Sequence, residues 1–271
     1  NGKYNKEKRM TNNAQKKPQQ EVVEKKVDAV VPLQDYEADA GAGLGGLTNE
    51  DLATPRLKIL MNGSEELDKD ENLKMGQIYN TVTSQTYDGK EGIVVIPCAY
   101  QRQYAEWLPV RGKNQPPVNV YDANSDILSK TTRNKDDNKD YLDNGNYIET
   151  NANHFVILYD QKTGVGSPAL ITLKATQLKK SRKWNSMMLN IRIPGSKGPF
   201  NPPSFSHMYS LKVKKEDNEK GKWFGWEIDL LGPVTDMELY NEAKVFHKSI
   251  ASGEVTAKPE QEQTVGSPNP F

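Results

Sequence analysis

Within eight residues, Gln177-Leu-Lys-Lys-Ser-Arg-Lys-Trp184 places four cations beside a leucine and a tryptophan. At about 100° per residue, Lys179, Lys180, Arg182 and Lys183 fan over one side of a helix, opposite Leu178, Trp184 and Met188. A helix so divided buries its apolar stripe and turns its charge outward, toward a polyanion or simply toward water. The surrounding charge bears on that choice. Residues 174–222 hold twelve Lys and Arg against three acids, net +9, whereas residues 21–71 hold thirteen acids against five bases, net −8. The formal net charge of zero, 36 bases against 36 acids, therefore conceals a strongly polarised chain. A basic zone inside a folded domain is the electrostatic footprint of a polyanion binder.

A second constellation is Tyr100-Gln-Arg102-Gln-Tyr104. In an extended chain all three odd-spaced side chains share one face, because the strand period is two. An aromatic–Arg–aromatic row suits base stacking, with the guanidinium free for phosphate or cation–π contact. Tyrosines covering the outer edge of a barrel are the alternative. Trp107 falls on the opposite face and reads as core. Further on, Tyr209, Leu211 and Val213 form one face of a strand, and Met208, Ser210, Lys212 and Lys214 form the other. Trp223 can join that second face, while Phe224, Trp226 and Ile228 read as core. Three elements thus offer cations or rings on one side each.

Catalytic chemistry has no comparable support. His154, His207 and His247 are the only histidines, and none has metal-ligand or triad spacing. Cys98 sits in the apolar run Ile93-Val-Val-Ile-Pro-Cys and reads as buried filler rather than nucleophile. As the sole cysteine it excludes an internal disulfide framework and a Cys-rich zinc site. A calcium loop around Asn144-Gly145 fails, since Leu142 and Asn151 stand where ligands are required. We expect no enzyme activity, no cofactor and no metal.

The elements that must position these residues follow from pattern. Thr48 with Asp51 imitates a capping box, and Leu52, Leu57, Ile59 and Leu60 give a short apolar helix face that Pro55 ends or offsets. Gln77 to Thr83 alternates as a strand, and Tyr87-Asp-Gly-Lys is turn chemistry. Residues 93–110 read as one long strand, or two broken near Gln101. A polar insertion covers about residues 111–150. Residues 154–160 and 169–175 form a hairpin across Gly164 and Gly166. Residues 176–191 are the best helix, with Leu178, Ser181, Trp184, Asn185, Met188 and Ile191 on one side. Residues 208–214 and 223–231 make another hairpin, and residues 236–250 a closing helix with Thr235 as N-cap.

The fold class expected is mainly β (α+β): an OB-like small barrel or curved antiparallel sheet with one inserted amphipathic helix, a C-terminal helix and disordered ends. Residues 1–47 read as a disordered leader and Gly/Ala linker, residues 48–250 as one OB-like nucleic-acid-binding domain, and residues 251–271 as a disordered tail. Met10-Thr-Asn-Asn resembles a translation start, which would place residues 1–9 upstream of it. Only 35% of the 271 residues are hydrophobic and the mean hydropathy is −0.80, as a domain diluted by polar ends requires. No run approaches the ~18–20 apolar residues of a membrane span, and no apolar h-region follows the basic start, so neither membrane integration nor signal-peptide secretion is expected.

Several runs together carry a resemblance. Gly76-Gln-Ile-Tyr-Asn-Thr-Val-Thr, Tyr87-Asp-Gly-Lys-Glu-Gly-Ile-Val-Val-Ile-Pro-Cys-Ala-Tyr, Glu106-Trp-Leu-Pro, Gln177-Leu-Lys-Lys-Ser-Arg-Lys-Trp, Phe205-Ser-His-Met-Tyr and Trp223-Phe-Gly-Trp-Glu resemble a group of tailed-bacteriophage proteins. The likeness spans about residues 45–248. We associate that group with phage single-stranded DNA-binding proteins of the OB-fold type. The resemblance implies a sequence-tolerant binder in phage replication or recombination, acting in the host cytoplasm, with single-stranded DNA as partner. Tyr100, Tyr104 and Trp223 would stack bases; Arg102, Lys179, Lys180, Arg182, Lys183, Lys212 and Lys214 would meet phosphates. Bacterial single-stranded DNA-binding proteins also end in Pro-Phe, so Pro270 and Phe271 would dock replication partners, although the six closing residues here carry no acid. A phage structural or assembly protein, using the basic zone for protein contacts, is the alternative.

Overall fold

The computed structural model describes residues 33–48, 51–110, 115–219 and 221–258. Met10, the first 32 residues and the closing Pro270-Phe271 lie outside the described residues. The chain divides into two units, Asn1–Gly46 and Leu47–Phe271. In the first, a short helix α1 (Leu33–Ala38) precedes turns through Gly46. Leu, Gln, Glu and Ala favour helix, and Asp35 lies in the first turn, where the helix dipole favours an acid.

The second unit begins with a surprise. Thr48 N and Oγ1 do reach Asp51 Oδ2, at 2.9 and 2.7 Å, but no apolar helix follows. Leu57 and Ile59 instead belong to a strand, β1 (Leu57–Ile59), and both point inward. Pro55 lacks a donor and biases its predecessor toward extended backbone, so it ends the helical option before the apolar residues arrive. A short helix α2 (Glu65–Lys69) intervenes before β2 (Ile78–Asn80) and β3 (Thr86–Tyr87), which complete a three-stranded antiparallel sheet with β1.

The main sheet is organised by two long antiparallel partners, β4 (Ile93–Trp107) and β8 (Tyr147–Tyr159). At one end, β10 (His207–Asn218) and β11 (Gly221–Pro233) extend the sheet beyond β4, and β9 (Gly166–Lys174) pairs with β8. At the other end, β5 (Asn119–Asp122) pairs with β4, and β7 (Asp140–Tyr141) and β6 (Thr132–Arg133) continue beyond β8. The polar insertion is therefore strand-bearing, and β8 starts inside it, at Tyr147. Its strands are too short to show a period, yet Tyr121, Ile127, Leu142 and Ile148 form a small cluster against Tyr104 that holds them.

β4 is continuous through Gln101. Its irregularity lies earlier, between Pro97 and Ala99, where the register against β8 slips at Cys98. Because side chains alternate, that one-residue bulge exchanges the two faces of all that follows. Ile93 and Val95 face the inner core, Ile96 and Cys98 the outer one, and then Tyr100 comes to lie opposite His154 on the inner face. The Cys98 carbonyl accepts from Ser204 Oγ at 3.2 Å and His247 Nδ1 at 2.8 Å, which anchors the bulge.

The inner core gathers β1, β2, β4, β8, β9, β10 and β11 around Trp184 of α3 (Leu178–Asn190). The outer core lies under α4 (Met237–Ala251) and contains Ile96, Phe155, Leu170 and Phe246. Asp236, not Thr235, caps α4, accepting from Leu239 N at 2.9 Å. Beyond α4, Val255 and Ala257 still pack on that core. The class of protein is a mainly β, curled antiparallel half-barrel of OB-like α+β type, with α3 inserted between β9 and β10 and α4 closing the outer face.

Candidate nucleic-acid interface

α3 reaches the free edge of β11 through one side chain. Gln177, buried just before the helix, accepts the Trp226 backbone N–H at 3.0 Å and so closes the sheet edge. Gly225 makes this possible: a Cβ there would stand 2.6 Å from the Gln177 amide and 2.7 Å from a Glu216 oxygen. With Trp184 buried and stacked on His154 at 4.4 Å, the helix is fixed and its opposite side faces water. Lys179, Arg182 and Lys183 are exposed there. None of the three has an ion pair among the described residues.

Lys180 differs. It is mostly covered and pairs with Glu216, which also accepts from Trp223 Nε1 at 2.8 Å. Burial pushes the Glu216 carboxyl up, but the Lys180 and Trp223 donors outweigh it and hold it below the usual carboxylate range. Register puts Lys212, Lys214 and Glu216 on one face of the β10–β11 ribbon, opposite Glu227, Gly225 and Trp223. Trp223 thus shares the face of Lys212 and Lys214, as its spacing predicts. A surface groove brings Trp223 and Lys179 together with Thr176, Glu216 and Asp217. Lys214 is tied to Glu227 at 3.0 Å, while Lys212 is exposed with no ion pair among the described residues. Counting charge cannot show either pairing: Glu216 is one of the three acids already in the basic segment, and Glu227 lies outside it and meets Lys214 only across the ribbon.

The Tyr100–Arg102–Tyr104 row lies on the inner face, away from Trp223. Tyr100 is about one-third exposed and its ring is 5.1 Å from that of His154. Arg102 is exposed, and hydrogen bonding to Tyr100 and then Tyr104 holds its pKa above the ordinary arginine value. Tyr104 is buried in the cluster of the insertion, so its ring is not on a stacking surface. The structure therefore makes two separate patches, with Tyr100 and Trp223 on opposite faces of their strands. Beneath Tyr100 a column of rings runs into the inner core: Tyr100, His154, Trp184 and Tyr209, with centroids 5.1, 4.4 and 5.7 Å apart.

His154, which has no metal-ligand or triad spacing in the sequence, is a packed side chain. It is fully buried, its Nε2 lies 2.8 Å from Ser181 Oγ, and burial depresses its pKa to about 3, so the ring is neutral. Cys98 is likewise buried, which pushes its thiol up to about 12. Among the described residues no group of three or more His, Cys, Asp or Glu could hold a metal ion, and no helix is long and apolar enough to cross a membrane.

The chain belongs to the family described as Pam3 phage gp34-like protein, which matches residues 22–256. It is a phage protein of that family. No curated protein and no solved structure matches the chain.

Proposed function

We propose that the protein binds single-stranded DNA with little sequence preference during phage replication or recombination, in the host cytoplasm. The observation that carries this reading is the groove between α3 and the β10–β11 ribbon. There a half-buried indole, Trp223, stands beside Lys179, and Arg182, Lys183 and Lys212 are exposed cations on the elements that form it. Aromatic faces stack bases of any identity, and cations neutralise phosphates irrespective of sequence. Lys180 and Lys214 act at one remove, holding Glu216 and Glu227. Tyr100 and Arg102 form a secondary contact on the inner face. Titration of tryptophan fluorescence with oligo-dT tests the reading. Binding at roughly 50 mM salt should weaken log-linearly as salt rises, with a slope near 0.7 per phosphate contacted; no binding at that salt refutes it.

One observation favours a second reading. Asp217 and Glu216 line the same groove as Trp223, and acids there suit a partner protein of mixed charge better than a phosphate backbone. As a structural or assembly protein, the chain would be stoichiometric in purified virions and would show no affinity for oligonucleotides.

A further inference from the structure

On the outer face of the sheet, beyond the part that α4 covers, the far ends of β4, β8 and β9 enclose a slot of about 80 Å³ that neither patch uses. By the measure in which one water needs roughly 10–15 Å³, it admits a single ring and not a strand. Its floor is a relay of polar side chains. Arg56 Nη1 donates to Thr172 Oγ1, Thr172 Oγ1 to Asn153 Oδ1, and Asn153 Nδ2 to Gln103 Oε1, each at 2.9 Å. The relay fixes the Gln103 amide so that its Nε2 remains to donate. Directly across the ladder from Gln103 stands Asn151, whose Oδ1 is buried and has no hydrogen-bond partner among the described residues. A buried carbonyl oxygen without a donor is costly and uncommon in a folded protein. Trp107, Pro117 and Val120 line the slot with apolar surface.

We propose that this slot takes one unstacked base of a single-stranded nucleic acid, with Gln103 Nε2 and Asn151 Oδ1 pairing with an adjacent acceptor and donor on the base edge. Each base offers such a neighbouring pair but in a different order: adenine and cytosine set an exocyclic donor beside a ring acceptor, thymine and guanine the reverse, so two fixed amides distinguish them in two-point contact. Lys174 is paired with Glu149 at 3.3 Å and Arg56 is engaged in the relay, so the lining reads the base rather than the phosphate. The proposal rests on the nucleic-acid reading above and adds to it one position with base preference.

The test compares affinities of the full chain for dT, dA and dC oligomers of equal length at fixed salt. The wild type should show at least a threefold spread among them. Asn151→Leu, which removes the partnerless oxygen and keeps the number of side-chain heavy atoms, should reduce that spread below twofold while leaving the salt slope and the melting temperature unchanged or the latter raised. Val120→Trp, which fills the slot from a partly exposed position, should reduce it likewise and decides the matter where Asn151→Leu melts early. Equal affinities in the wild type, or a spread that survives Val120→Trp, overturns the slot alone. Failure of every oligomer to bind overturns the nucleic-acid reading together with it.

Discussion

The two ends of the β4–β8 pair treat polar groups in opposite ways. At the β10–β11 end, cations are left over: Lys179, Arg182, Lys183 and Lys212 face water without an ion pair among the described residues. At the insertion end, polarity is turned inward. Glu106 is almost fully buried and accepts from Asn119 Nδ2 at 3.1 Å, Tyr121 OH at 2.6 Å and Asn146 Nδ2 at 2.6 Å. Burial pushes its carboxyl up, yet Tyr121, Asn146, Asn119 and Asn144 together hold it below the usual range. One carboxylate thereby pins β5 and the turn before β8 onto β4. The contrast separates two kinds of charge: one that organises the chain, and one that the chain makes available to something else.

Changes at each end should therefore register in different measurements. The largest effect belongs to Glu106→Ala, which strips three donors of their acceptor and should destabilise the fold by about 3 kcal/mol in denaturant unfolding. A loss under about 1 kcal/mol would mean that the insertion is held by its apolar cluster alone. Gly225→Ala should follow at roughly 1–3 kcal/mol, because the added carbon meets Gln177 and Glu216 and opens the edge that α3 closes. It should lower oligonucleotide affinity as well, which Glu106→Ala should do only through loss of folded protein.

Acid separates the ends further. His154 has a folded pKa lowered to about 3 against an ordinary value of 6.5, so the unfolded chain binds its proton first as pH falls. Stability conferred by the neutral, buried ring is complete above pH 6.5 and should be lost below it, at up to about 1.4 kcal/mol per pH unit per proton. His207, lowered by partial burial, contributes to the same window. Glu106, held below 4.5, loses its contribution only at lower pH, as the fall continues through its folded value. Melting temperatures that stay flat from pH 6.5 to 4.5 would contradict the burial of His154, whose contacts are Tyr100, Ser181 and Trp184. The smallest effect on stability belongs to Arg182→Ala with Lys183→Ala. Melting should shift by less than about 0.5 kcal/mol equivalent, while the oligo-dT salt slope falls by about 1.4. An unchanged slope would move the phosphate track away from α3.

Much of this was legible in residue pattern. The apolar stripe of α3, with Trp184 buried and Lys179, Arg182 and Lys183 outward, follows from helical spacing, because a helix face is a local property. The two faces of β10 and the place of Trp223 follow from the strand period in the same way. Other features depended on contacts distant in the chain. Tyr104 alternates perfectly with Tyr100 and Arg102, yet it is covered by Ile127 and Tyr121 from the insertion. Leu57 and Ile59 look helical until β2 and β9 stand beside them. Lys180 and Lys214 count as free charge until Glu216 and Glu227 arrive from other positions on the ribbon.

The sequence by itself determined the helices α3 and α4 and the long hairpins, which side of α3 is charged, and that positive charge concentrates in residues 174–222, since these rest on composition and on periods of 2 and 3.6. Only the tertiary structure decided which cations remain unpaired, and that Tyr100 and Trp223 lie on opposite faces. It alone set Asn151 opposite Gln103 in a slot. The first turns on the β10–β11 register, the others on one bulge at Cys98 and on a strand register joining residues 48 positions apart, none of which a local pattern encodes.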